Sequence, residues 1–268
     1  MRHASAFLAA AITLAILVGP GGTPAALAKG SGDKEKIEVD HCALSAHGLH
    51  EHPADRARGG RDSTGGSGKT PLCSKTFAKW SGTSIAVYID TSGTPSSLGA
   101  ASFEDYAKKA FTEWSCHSGL GESVAITYVT SASAAGITIG WGNLGTSGVL
   151  GQASTSYWRG EILGSEITMN SNQASFTWTL GPAPRTDGGG CEVEIGDDGA
   201  ATSYDLFLVL LHEIGHGLGC SHPNNRCRSN DPRYFETMYS CTDAGEYSRR
   251  ALNPGDRLSI SRLYGSQP

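Results

Sequence analysis

Residues 212–222 read His212-Glu213-Ile214-Gly215-His216-Gly217-Leu218-Gly219-Cys220-Ser221-His222. The first two histidines are four apart, one helical turn, so both imidazoles leave the same face of a helix and one metal ion can reach both. Gly219 permits a backbone conformation that ends the helix and turns the chain. His222 then swings back as a third ligand. Three imidazoles leave a fourth position open for water, the pattern of a catalytic rather than a structural zinc. Glu213 follows the first histidine, about 100° round the helix, and so faces the bound water instead of the metal. Its expected role is general base. Zinc brings the pKa of its water near neutral, the carboxylate takes the proton, and the leaving amine receives it. Cys220 does not sit at a ligand spacing.

Upstream, Thr202 or Ser203 is placed to cap this helix, with Asp205 favourable in its first turn. Leu206, Val209, Leu210 and Ile214 form its buried stripe. Residues 181–200 read as a Gly-rich acidic loop. Earlier, Ile85–Ile89, Val124–Val129, Gly136–Trp141 and Ile162–Met169 read as strands. Ser102 opens a first helix, with Asp105 as a capping-box partner. Phe103, Tyr106, Ala107, Ala110, Phe111 and Trp114 recur on its apolar face. Downstream, Asn253-Pro254 starts a last helix with proline in its first turn, and Leu258, Ile260 and Leu263 are its apolar positions. Strand, helix, strand, strand predicts an α+β fold: a mixed sheet with a helix packed on one face.

The remaining chain bounds the setting. It has 268 residues and a net charge of -5, with no basic excess to suggest nucleic acid. Residues 1–28 read as a signal peptide: Arg2 and His3, an apolar run from Phe7 to Val18, then Ala26-Leu27-Ala28 as a cleavage site. The run is too short to span a bilayer comfortably. The expectation is a secreted, extracellular, monomeric protein with no stable membrane association after cleavage. Residues 29–72 read as a flexible linker or short pro-segment; its crowded histidines, His41, His47, His50 and His52, read first as solvated, with metal binding as the alternative. Residues 73–268 form the expected catalytic domain. An exported chain meets an oxidising environment, so disulfides are expected among its 7 cysteines. The odd number leaves at least one thiol without an intrachain partner. Cys227 with Cys241 is a candidate pair.

The stretch at 212–222 matches the HExxHxxGxxH signature of metzincin metallopeptidases. Glu236-Thr237-Met238-Tyr239-Ser240 resembles their Met-turn, and Met-Tyr there is most similar to the matrixin branch. Leu252-Asn253-Pro254-Gly255-Asp256 through Leu263-Tyr264-Gly265 resembles the last matrixin helix, as does the weaker Ala110–Trp114 pattern. The resemblance implies a metzincin-like zincin domain: a twisted mixed sheet with the active-site helix, plus a small C-terminal subdomain ending in a helix. It implies one catalytic Zn2+, a protein or peptide substrate in the cleft, and an edge strand near Gly151-Gln152-Ala153 that pairs with it. Tyr239 is either a pocket wall or ordinary packing. Cys42 lies in Asp40-His41-Cys42-Ala43, which departs from the PRCGxPD switch of matrixin pro-segments. His117 is the only histidine of the domain outside the motif, too few for a second zinc of the matrixin kind. Asp187, Glu192, Glu194, Asp197 and Asp198 could offer oxygens to Ca2+, but without EF-hand-like spacing the loop reads first as solvated. Two other functions fit the motif less well: a binding protein with a silent zinc site, which would not need Glu213, and a zinc hydrolase of a non-peptide substrate.

Overall fold

The computed structural model describes residues 36–40, 75–116, 120–146, 148–172, 177–181, 203–223, 236–240, 242–247 and 249–265. The strands are β1 (Lys36–Asp40), β2 (Ser84–Ile89), β3 (Ala125–Tyr128), β4 (Ile137–Gly142), β5 (Gly151–Trp158), β6 (Glu161–Asn170), β7 (Thr177–Thr179) and β8 (Ser203–Asp205). The helices are α1 (Ala100–Cys116), α2 (Leu120–Ser123), α3 (Leu206–Gly217) and α4 (Pro254–Tyr264). Six strands form one sheet in the order β1-β5-β6-β4-β2-β3, and β7 pairs with β8 separately. β2, β3, β4 and β6 run parallel where they meet, while β5 is antiparallel to β6 and β1 antiparallel to β5. The sheet is therefore mixed and the class α+β, as expected.

Period-two alternation explains β5. Gly151, Ala153, Thr155 and Tyr157 are buried, and the residues between them are only partly so. Ile137, Ile139, Ile167 and Met169 of β4 and β6 continue the buried layer. α1 contributes the predicted face of Phe103, Tyr106, Ala107, Ala110, Phe111 and Trp114. α3 is buried on every side, as a helix in the middle of a core must be. Trp114 ties the two helices, its indole N–H donating to the Leu211 carbonyl at 2.8 Å.

Two helix starts differ from expectation. α1 begins at Ala100, ahead of Ser102, because Gly99 takes φ +79 and its carbonyl already accepts from Phe103 N–H. Asp105 pairs instead with Lys109 at 2.8 Å, the i,i+4 spacing of a helix surface. α3 begins at Leu206 with Asp205 itself as N-cap, while Ser203 lies in β8. Within the stretch read as linker or pro-segment, Lys36–Asp40 forms strand β1. Among the described residues no helix is long and apolar enough to cross a membrane.

Candidate metal centre

α3 starts where Asp205 Oδ1 accepts from Leu208 N–H at 2.7 Å. A buried ion pair holds this cap: Asp205 Oδ2 lies 2.9 Å from Arg250 Nη2, both side chains being almost wholly buried. Burial pushes the Asp205 carboxyl up to about 6, against the pull of Arg250 and the capping N–H groups. From this anchored end the helix runs through Leu211 to His212, Glu213 and His216, all buried.

The helix stops at Leu218, and Gly219 follows at φ +100. That conformation suits glycine, and a second reason excludes any side chain. A Cβ on Gly219 would run into the carbonyl oxygen of Ala78. The turn brings the Cys220 carbonyl back to His216, whose Nδ1 donates to it at 2.9 Å. His212 Nδ1 donates to the Thr237 carbonyl at 2.7 Å.

These two hydrogen bonds decide the chemistry at the other ring nitrogens. A neutral imidazole carries one N–H, so the Nε2 atoms of His212 and His216 present lone pairs. They lie 3.1 Å apart, and each lies 3.1 Å from His222 Nε2. Lone pairs at that distance repel unless a cation sits among them. Zn–N bonds of 2.0–2.1 Å at tetrahedral angles separate nitrogens by roughly 3.3 Å, so the donor set fits zinc. Burial, then the neighbouring imidazoles His216 and His222, holds His212 well below the ordinary histidine range. Its ring therefore stays in the form that ligates. The structure thus brings together all three histidines named from the sequence.

Glu213, next to His212 in α3, is fully buried. A Cβ on Gly151 would stand 2.8 Å from Glu213 Cγ and 2.9 Å from Oε1. Glycine at the start of β5 thus lets the strand backbone come directly against this carboxylate. Met238 packs on the helix in the same way, since a Cβ on Gly215 would collide with its sulfur. The turn carrying Met238 is gripped by Asp256, which accepts from Thr237 N–H at 2.7 Å and Met238 N–H at 3.2 Å. The same carboxylate accepts from Asn253 N–H at 3.1 Å. Glu236 in turn accepts from Gly255 and Asp256 N–H at 3.1 and 3.2 Å.

In the sequence Asp256 stands out only as part of the stretch that resembles the last matrixin helix. Its hold on Thr237, and through the Thr237 carbonyl on His212, joins residues too far apart for local pattern to reveal. Tyr239 is half-buried, with its carbonyl accepting from Arg249 at 3.1 Å and its ring 5.8 Å from that guanidinium. Cys42, His117, Asp187, Glu192, Glu194, Asp197, Asp198, Cys227 and Cys241 lie outside the described residues.

A helix that breaks on a glycine so that a third imidazole closes on two others, with a methionine turn packed against it, is the plan of a metzincin. The mixed sheet around it is the fold of that class. A matrixin family model matches residues 79–265, and the chain belongs to the matrixins, a family of zinc metalloendopeptidases acting on proteins and peptides.

Proposed function

We propose that this chain is a secreted endopeptidase in which His212, His216 and His222 hold the metal and Glu213 is the general base. The convergence of the three Nε2 atoms, with Glu213 buried next to His212 in α3, carries the reading. Zinc at this site supplies a Lewis acid that acidifies water and polarises a carbonyl. The rest belongs to the protein. Glu213 takes a proton from the attacking water and returns it to the amine that departs. The carbonyls of Thr237 and Cys220 fix the tautomers of two ligands, the outer support that metal-binding imidazoles require. The strand edge at Gly151 brings main-chain groups next to Glu213, where an extended peptide can be held.

The N-terminal apolar run and its Ala-Leu-Ala end support export. So does Cys116, which is disulfide-bonded. The test is wild type beside Glu213→Ala, each assayed for zinc content and for casein cleavage. One zinc per chain in both, with chelator-sensitive cleavage only in wild type, is the expected result. Near wild-type turnover by Glu213→Ala would remove Glu213 from the mechanism.

A further inference from the structure

Asn170 is the last residue of β6 and is fully buried. A buried primary amide is costly unless its N–H groups and its oxygen are all paired. Here they are. Oδ1 accepts from Leu144 N–H at 3.1 Å and from Asn172 N–H at 2.9 Å. Nδ2 donates to the Gly145 carbonyl at 3.1 Å and to the Val149 carbonyl at 2.6 Å. One orientation of the amide serves all four partners. Turned over, it would set N–H against N–H and oxygen against two carbonyls. The main chain of Asn170 adds two more bonds. Its N–H donates to the Leu150 carbonyl at 2.9 Å, and its carbonyl accepts from Trp178 Nε1 at 3.0 Å.

Leu144, Gly145, Val149 and Leu150 belong to the loop that joins β4 to β5. A single residue thus ties both ends of that loop to the end of β6. The last two carbonyls before β5, those of Val149 and Leu150, are both held by it. The residue that follows is Gly151, which opens β5 and packs on Glu213: a Cβ there would stand 2.8 Å from Glu213 Cγ. Contact that close leaves Glu213 no room toward the strand, so the position of the strand sets where the carboxylate lies. We propose that Asn170 is a positioning residue for the reaction: its amide fixes the chain that enters β5 and so holds Gly151 against Glu213. The catalytic half of this assignment rests on the peptidase reading.

Asn170→Asp is the decisive variant. It keeps the size and one acceptor oxygen, but a second oxygen replaces the donor and faces the carbonyls of Gly145 and Val149. The end of the loop should shift, and Gly151 with it. A misplacement of about 1 Å costs about a hundredfold in rate, so kcat for an unstructured casein peptide should fall by about that factor, with KM within about threefold of wild type. Zinc measured after dialysis should be unchanged. Asn170→Ser keeps a hydroxyl donor and should lose about tenfold in kcat. It carries the test should the aspartate variant not fold.

Glu213→Asp supplies the coupling. Its shorter carboxylate is already out of place, so adding Asn170→Asp should cost only about threefold more. An asparagine that merely stabilised the fold would multiply the two losses in full, and that result would overturn the proposal. So would a loss confined to KM with kcat unchanged. Hydrogen exchange in the zinc-loaded chain reads the loop without turnover. Residues 148–153 should exchange about tenfold faster in Asn170→Asp than in wild type. Unchanged exchange there would overturn the assignment. Faster exchange with no cleavage by any form, wild type included, would leave Asn170 holding Gly151 and overturn the peptidase reading instead.

Discussion

Gly219 shows how one position serves the metal centre. Its φ of +100 is reached by several other glycines in sign, Gly160 at +82 among them. The difference lies in the surroundings. A Cβ on Gly160 meets nothing within 4 Å, whereas on Gly219 it strikes the Ala78 carbonyl. Gly160→Ala should therefore cost only the conformational strain, about 1 kcal/mol. Gly219→Ala should cost more and also displace the turn that carries the Cys220 carbonyl and His222. Thermal melts of the two variants, with zinc measured after dialysis, check this. If Gly219→Ala kept its zinc and melted like Gly160→Ala, the close approach to Ala78 would not matter. The glycine was legible in the sequence because its place in the motif is local. The reason it cannot carry a side chain was not, because Ala78 lies far upstream.

Among the elements, local rules located most pieces and misplaced some ends. Ile85–Ile89 and the apolar face of α1 follow directly from periodicity, and α4 from Asn253-Pro254. β5 was harder, since its alternation uses Gly, Ala, Thr and Ser, which carry little hydrophobic signal. α3 begins one residue after Asp205 because that carboxylate is fixed by Arg250, a long-range contact that ranks it above Thr202 and Ser203. The ion pair predicts an asymmetry between variants. Asp205→Ala removes the cap and leaves the Arg250 cation buried, so the loss should approach about 3–5 kcal/mol. Asp205→Asn keeps an oxygen for Leu208 N–H and should lose less. Chemical denaturation of the pair tests the ranking, and equal losses would mean that the cap contributes nothing beyond the charge.

Across the whole molecule, the carboxyl pair Glu236 and Asp256 joins the Met238 turn to the last helix. Burial and then the neighbouring Asp256 charge push Glu236 up to about 8. Burial also raises Asp256, although the N–H groups of Thr237, Met238 and Asn253 favour its charged form. At neutral pH Glu236 accordingly holds a proton that it can donate to Asp256. A folded-state pKa above the unfolded value of 4.5 means that the native chain binds this proton more tightly. The resulting stability is complete below about 4.5 and is lost as pH rises through about 8. His212 pulls the other way below its ordinary 6.5, because its folded form resists protonation. The window from pH 7 to pH 9 lies above the His212 titration and spans that of Glu236. Wild-type melting temperature should fall across it. Glu236→Gln, whose amide can still accept from the start of α4 and donate to Asp256, should flatten that fall. The same downward slope in Glu236→Gln would place the titration elsewhere. A flat wild-type profile would mean that the turn and the last helix are held together without a shared proton.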